Sequence, residues 1–475
     1  MKILFAASEA TPFAQSGGLA EVAGALPKAL VENGEDVRVV LPLYECVKEE
    51  QREKMKFLFH FDVPVAWRSQ YCGVFEAKAN GVTYYLIDNE YYFKRSGLYG
   101  YYDDAERFTF FSRAVLDLIS WLPDFKPDII HCNDWQTALI PLYYNCFYAN
   151  REGYEGIRTV YTIHNIQYQG VYGNELLNEV VGINPPDYSL IDYDGCVNFS
   201  KSAIECCNKV TTVSPSYANE ILDPWFSHGL DSILWKNEWK LVGILNGIDV
   251  DSYNPKTDKA IAYNYSATSV SNKAKCKEAL EDRFGFDHKP DVPIMALISR
   301  LVSHKGLDLI TNMIDELLST TEVRFIVLGT GDHEYEDFFK GLAYRHPDKF
   351  RLELAFDSAL SRQIYAGADM FLMPSKSEPC GLSQMIALRY GTIPIVRETG
   401  GLRDSISDCG DGLGNGFTFK TYNAQDMHWA INRCIDLYYN DKDAWNKLVK
   451  RALKCDNSWK KSAKLYVDMY KEALL

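Results

Sequence analysis

Apolar residues along this chain form short continuous runs, separated by longer stretches in which they recur at helical spacing. The first run, Lys2 to Ser8, predicts a strand. Leu19, Val22, Ala23, Leu26 and Leu30 share one face of a helix from Leu19 to about Asn33. Pro27 inside that pattern predicts a kink. A strand from Asp36 to Leu41 completes a βαβ unit, and the runs Thr83 to Ile87, Asp128 to Cys132, Thr159 to Thr162 and Lys209 to Val213 extend the same sheet. A second series follows, with strands Pro293 to Ser299, Val323 to Leu328, Arg351 to Ala355, Asp369 to Pro374 and Thr392 to Val396. Asp251 to Asp291, between the two series, is polar and lacks sustained strand pattern, so the boundary belongs there. Alternating β and α in two blocks predicts an α/β protein of two doubly wound, Rossmann-like domains facing across a cleft, residues 1–250 and 251–457.

A length of 475 residues agrees with two cores rather than one. Hydrophobic residues at 47% and charged ones at 24% indicate an ordered globular protein. The net charge of −14 argues against nucleic acid as a partner and requires any anionic substrate to be held by local cations. The twelve cysteines lack zinc-like spacing and read as buried thiols in a reducing compartment. The chain enters its first strand directly after Met1, and no apolar run reaches the roughly 20 residues that span a bilayer. A soluble cytoplasmic protein, with no membrane partner, is expected.

Ligands of doubly wound sheets collect at the carboxyl ends of the strands, where most polar candidates of this chain fall. Glu378 follows the strand Asp369 to Pro374, and Thr399, Gly400 and Gly401 follow the next. A carboxylate there can grip sugar hydroxyls, while a Gly-Gly turn lets backbone N–H groups approach an anion. Together they suggest a nucleotide-sugar site. Arg300 and Lys305 could neutralise a diphosphate leaving group, although a solvated basic loop would look the same. Gly17-Gly18, ahead of the first helix, offers N–H groups to phosphate or simply caps the helix. No G-x-G-x-x-G occupies the first turn, which excludes a dinucleotide oxidoreductase of the usual kind. His164 and Asn165 end one strand and Asp134 follows another. A lone strand-end histidine also suits a structural role, but two polar strand ends in one half favour chemistry. Asp249 and Asp251 have D-x-D spacing without further acids, and read as a turn leading to Asn254-Pro255. No metal and no cofactor are expected.

The segments SGGLAEVAGALPKAL, LYGYYDDAERF, HCNDWQTAL, TIHNIQYQGVY, VTTVSPSYANEI, GILNGID, ISRLVSHKGLDLI, SEPCGLSQMIALRYGTIPIVRETGGLRD and NSWKKSAKLY, in this order, closely resemble bacterial glycogen synthase and plant starch synthase. These are the ADP-glucose-type α-1,4-glucan synthases, and the resemblance runs from Lys2 to the final helix. It implies a GT-B fold and a retaining transfer of glucose from ADP-glucose to the non-reducing end of an α-1,4-glucan such as glycogen. It implies a first domain on the acceptor side, a second on the nucleotide-sugar side, and a last helix, residues 458–475, crossing back onto the first. Carried onto this chain, Arg300 and Lys305 stabilise the leaving diphosphate, and Glu378 holds donor-sugar hydroxyls. The turn of Thr399, Gly400, Gly401 and Leu402 supplies N–H groups to phosphate. His164 lies at the reacting face of the sugar with Asn246 nearby, and Asp134 and Tyr99 lie on the glucose and acceptor side. Gln15, Gly17, Gly18 and Cys380 complete the donor contacts. No carboxylate in these motifs is an obvious covalent nucleophile, so same-face attack assisted by the leaving phosphate is preferred over a two-carboxylate scheme.

Three positions bear on the details. The family's usual lysine before T/V-G-G-L is Gln15 here, which keeps hydrogen-bond donors but brings no charge. The common His-Asp-Trp appears as Asn133-Asp134-Trp135. Ile386 stands where many related retaining transferases carry a second glutamate, in agreement with the synthase branch. UDP-glucose or mixed donor use is the near alternative, and a non-catalytic glucan-binding paralogue the more distant one. A phosphorylase would be much longer and would carry a cofactor-lysine region.

Overall fold

In the computed structural model, which describes residues 1–475, the apolar runs become the central strands of two separate sheets. The chain divides into two units, Met1–Asn246 with Trp459–Leu475, and Gly247–Ser458.

Unit 1 contains β1 (Lys2–Ala6), β2 (Asp36–Pro42), β3 (Lys56–Val65), β4 (Arg68–Ala79), β5 (Val82–Asp88), β6 (Ile129–Asn133), β7 (Arg158–Ile163), β8 (Val171–Gly173), β9 (Asp192–Tyr193), β10 (Cys196–Asn198), β11 (Lys209–Thr212) and β12 (Leu241–Gly243). Nine of them form one sheet in the order β12-β11-β7-β6-β1-β2-β5-β4-β3. From β12 to β5 the pairings are parallel. The hairpin of β3 and β4 then adds two antiparallel strands at one edge, and β8, β10 and β9 make a small separate sheet. Neither feature is expected from the sequence. Buried runs announce central strands, whereas in β3 only Phe61, Val63 and Val65 are buried, every second residue, and Phe57 is exposed.

The helix Gly18–Glu32 is continuous through Pro27. Its buried Val22, Ala23, Leu26 and Leu30 join Ile3, Phe5, Val37 and Val39 in one core. The last helix, Trp459–Leu474, completes that core with Trp459, Tyr466, Val467, Met469 and Tyr470. Polar contacts fix it in place. His131 of β6 meets the Tyr470 hydroxyl through Nδ1 at 2.7 Å and the Thr162 hydroxyl through Nε2 at 2.6 Å.

Unit 2 is a six-stranded, wholly parallel sheet in the order β15-β14-β13-β16-β17-β18. Its strands are β13 (Ile294–Ile298), β14 (Arg324–Leu328), β15 (Phe350–Glu353), β16 (Met370–Met373), β17 (Ile393–Arg397) and β18 (Phe417–Phe419). The chain changes unit at 246/247 and 458/459, against expected boundaries of 250/251 and 457/458. The first shift has a local cause, because Ile248 donates its N–H to Asn457 O at 2.8 Å and so already belongs to unit 2. Asp249 caps its own turn, accepting from the N–H groups of Asp251 and Ser252. Six of the twelve thiols are buried, five are half-buried and Cys46 is exposed, so the cysteines are less uniformly buried than expected. No helix is long and apolar enough to cross a membrane.

Removing residues 459–475 is expected to unfold unit 1. Five large side chains of the helix are buried in its core. At about 1.5–3 kcal/mol each, they contribute roughly 7–15 kcal/mol, comparable to the whole stability of a typical domain. A truncated chain that still melts cooperatively at the native temperature, followed by circular dichroism, would contradict this.

Candidate functional site

In unit 1 the carboxyl ends of β1, β6 and β7 bring six polar side chains together. Past β1, Ser8 bonds the Tyr99 hydroxyl at 2.7 Å. The Tyr99 ring packs on Phe108, so this residue is anchored from both sides. Glu9, only 3% exposed, accepts the Ser16 N–H at 2.6 Å. The Ala20 and Gly17 amides are also directed at Glu9, whose carboxyl is raised mainly by burial, against these hydrogen bonds. The backbone nest before the first helix, expected to face phosphate, is thus partly filled by the protein's own carboxylate. Gly18 keeps an open face, since a Cβ there would meet nothing within 4 Å. Gln15, Gly17 and Gly18 are exposed. Glu9 escaped the sequence analysis, and its one signal was an acid just beyond the first strand.

Asp134, directly after β6, has φ 56°, a conformation a non-glycine residue adopts only when its surroundings impose it. The constraint is visible: its Oδ1 accepts the His164 N–H at 2.8 Å, tying the ends of β6 and β7 together. Burial pushes Asp134 up to about 7, opposed by hydrogen bonds from the His164 and Asn165 backbones. Burial also depresses His164 to about 3, so its imidazole is neutral at physiological pH. Its tautomer follows from its neighbour. Asn133 donates Nδ2–H to the Ala6 carbonyl at 3.0 Å, which turns Oδ1 toward His164 Nε2 at 2.9 Å. Nε2 must then carry the proton, leaving Nδ1 as an acceptor. Asn133, met in the sequence only as a change beside Asp134, therefore orients the histidine. Asn246 is buried, and its Oδ1 accepts no hydrogen bond from the protein.

In unit 2 the structure joins the expected cation to the expected acid. Lys305 Nζ lies 2.7 Å from Glu378 Oε2, which also accepts the Ser375 hydroxyl at 2.9 Å. Glu378 is buried, whereas Arg300 is exposed. His304, beside Lys305, was not singled out in the sequence. Its pKa is lowered first by burial and then by Lys305 and Arg300. The Gly-Gly turn differs from expectation. A Cβ on Gly400 would stand 2.0 Å from Glu378 O, and one on Gly401 2.1 Å from Cys380 O. Gly401 donates its N–H to Glu378 O at 3.1 Å, and Leu402 donates to Thr399 O at 3.0 Å. These glycines admit the backbone of the Glu378–Cys380 loop, and the Gly401 and Leu402 amides are spent inside the protein rather than offered to an anion. Thr399 and Cys380 are buried beside them.

Residues 2–236 match the family described as the starch synthase catalytic domain, and residues 278–460 match the glycosyl transferases group 1. The chain is 49% identical over 477 residues to a glycogen synthase of Clostridium botulinum (strain Alaska E43 / Type E3), covering 99% of each chain. It is 48% identical over 479 residues to that of Clostridium acetobutylicum, covering 100% of both. Among solved structures, the catalytic domain of starch synthase IV from Arabidopsis thaliana, bound to ADP and acarbose, superposes with a TM-score of 0.91 at 35% identity. That match covers 100% of this chain and 99% of the other. Two α/β units on parallel sheets, with their polar groups at the strand ends, define a glycosyltransferase of GT-B fold. The chain belongs to the glycogen synthase family, and is an enzyme of that family.

The raised pKa of Asp134 makes a pH-dependent prediction. A carboxyl whose pKa is higher folded than unfolded holds its proton longer in the native state. Its ionisation therefore costs stability progressively as pH rises from the ordinary carboxylate range to about 7. Asp134→Asn should melt at a higher temperature than the parent, by a margin that widens between about pH 4 and about pH 7 and then levels off. A margin that stays constant across that window in thermal melts would show that Asp134 is not buried as a neutral acid.

Proposed function

We propose that this chain transfers glucose, with retention, from ADP-glucose to the non-reducing end of an α-1,4-glucan. The observation that carries the reading is the Lys305–Glu378 contact at 2.7 Å, which sets a cation beside a sugar-gripping carboxylate at neighbouring strand ends. Arg300 and Lys305 then neutralise the departing diphosphate, a developing charge that preorganised cations stabilise without reorganisation. Glu378 accepts hydroxyls of the donor glucose. Neutral His164 presents its Nδ1 lone pair to a sugar hydroxyl at the reacting face, and Asn246 offers its unpaired Oδ1 nearby. Asp134 and Tyr99 line the acceptor side. Gln15, Gly17 and Gly18 in unit 1, and Cys380 with the turn from Thr399 through Gly400 and Gly401 to Leu402 in unit 2, are the further candidates for donor contact, the turn in part through packing. Unit 1 is thus the acceptor side and unit 2 the nucleotide-sugar side. The ADP and acarbose bound by starch synthase IV support this choice of ligands, and the bacterial relatives support a cytoplasmic location.

The direct test supplies ADP-glucose or UDP-glucose, with and without glycogen, and measures nucleotide release. Glycogen-stimulated release of ADP is expected. Release of UDP at a comparable rate would overturn the choice of donor, and no glycogen-dependent release from either would overturn the reaction.

Arg300→Ala should lower kcat by roughly 10²–10³, the loss seen when one preorganised charge-stabilising donor is removed. Its melting temperature should hold, because the side chain is exposed. Lys305→Ala should lower both, since it also strands the buried Glu378 carboxylate without its cation. A folded Arg300→Ala variant with near-parental turnover would reject the leaving-group role.

Gln15 stands exposed on the loop before Gly17. If it approaches the donor's phosphates, Gln15→Lys adds a charge beside an anion, worth about 1 kcal/mol at an exposed position, or roughly a fivefold lower KM for ADP-glucose. The KM for the neutral acceptor should not change. An equal shift in both, or in neither, would place Gln15 outside donor recognition.

A further inference from the structure

Tyr99 stands in a stretch with no helix or strand of its own, between the helices Glu90–Phe93 and Asp104–Ser120, so its place is not set by backbone periodicity. One buried ion pair sets it instead. Arg107, fully buried, meets Asp104 Oδ1 through Nη1 at 2.6 Å, and the same nitrogen donates to the Leu98 carbonyl at 3.0 Å. The second oxygen of Asp104, Oδ2, accepts the Gly100 N–H at 2.8 Å. Arg107 Nε donates to the Tyr92 carbonyl at 2.7 Å, which ties the pair back to the preceding helix.

The two backbone groups gripped in this way belong to the peptide planes on either side of Tyr99. The Leu98 carbonyl fixes the plane before its Cα and the Gly100 N–H the plane after it. Because peptides are planar, only φ and ψ of Tyr99 lie between those two planes, and one rigid pair sets both. Gly100 serves the same turn. Its φ is 92°, and a Cβ there would meet nothing within 4 Å, so glycine is required for the backbone angle and not for room. The Tyr99 hydroxyl is thereby delivered to Ser8 and its ring to Phe108.

Stability alone does not account for the pair. A buried ion pair often contributes no more than apolar side chains of equal volume. Here the rings of Tyr101, Phe108 and Phe93 surround the guanidinium at 4.9, 5.3 and 5.5 Å, and its Nη2 is buried without an acceptor. A buried donor left unsatisfied costs stability, which marks this guanidinium as placed for what it holds. We propose that Arg107, acting with Asp104, is a positioning residue that aims Tyr99 at the glucan acceptor. Being fully buried, it acts on the sugar only through that ring. The inference rests on the glucan-transfer reading above, which sets Tyr99 on the acceptor side.

The test is Arg107→Lys in the full-length protein, which keeps a charge beside Asp104 but loses the fork that spreads donors from Tyr92 to Leu98. It is compared with Tyr99→Ala, with the double variant, and with Arg95→Ala, whose ion pair with Asp103 at 2.6 Å grips neither plane beside Tyr99. Measured are kcat, the KM for glycogen and for ADP-glucose, thermal melts, and amide hydrogen exchange over residues 96–103. In Arg107→Lys the glycogen KM should rise roughly tenfold, the cost of ordering a loosened aromatic side chain as the acceptor binds. Its kcat and donor KM should not change, and the 96–103 amides should exchange faster. The double variant should be no worse than Tyr99→Ala, because Arg107 acts through that ring alone. Additive losses in the double variant, or a parental glycogen KM in Arg107→Lys, would overturn the proposal. So would an equal rise in Arg95→Ala, since any loosening of the segment would then suffice. Should Arg107→Lys not fold, Gly100→Ala strains the same turn from an exposed position and should raise the glycogen KM by the same route; a parental value there overturns the proposal. A parent without glycogen-dependent nucleotide release would instead sink the transfer reading, while the exchange rates still decide whether Arg107 holds the turn.

Discussion

Lys305 and Glu378 can meet only because loops from neighbouring strands touch backbone to backbone, and glycine permits each touch. Gly306, with φ 75°, sits where a Cβ would be 2.0 Å from Pro374 O, so the loop after β13 docks directly on the end of β16. Gly400 and Gly401 do the same between the loops after β16 and β17. Three adjacent strand ends are thereby locked into one surface. Any side chain at these positions would push the loops apart by more than an ångström and separate the cation from the carboxylate. The ion pair, the burial of Glu378 and the engaged Gly401 amide all follow from that constraint.

Unit 1 meets a comparable demand differently. Its strand ends are joined by side chains: Asn133 bridges the Ala6 carbonyl to His164, and Asp134 reaches the His164 backbone. Burial leaves its titratable groups short of charge, with His164 at about 3 and Asp134 at about 7. A surface that is neutral but rich in oriented donors and acceptors suits sugar hydroxyls, while the cations of unit 2 suit a diphosphate. The division of labour under the proposed function thus has an electrostatic basis within each unit.

The parallel strands and the residues at their ends were legible because burial on both faces produces continuous apolar runs, and because ligand chemistry concentrates where those runs stop. The β3–β4 hairpin was not legible, since an edge strand with one wet face mixes Phe57, His60 and Asp62 among its apolar residues. Glycine pairs were legible as points of close approach, but not as to what approaches. Gly400-Gly401 pointed toward an anion, and the neighbour proved to be the Glu378–Cys380 backbone. Glu9 and Asn133 were obscured for a related reason. Their importance lies in partners far away in sequence or in the fold, and a carboxylate that fills an amide nest leaves no local pattern.

The last helix shows how far such distant pairing extends. His131 is buried between Tyr470 and Thr162 and is depressed to about 3. An unfolded chain would bind a proton at that histidine near its ordinary pKa of about 6.5, whereas the folded one refuses it. Its contribution to stability is therefore fully present above that value and is lost as pH falls toward 3. Protonation would put a charge between β6 and the helix that closes the core. The contact that joins the last residues to the first unit is thus the same contact that makes that unit sensitive to acid.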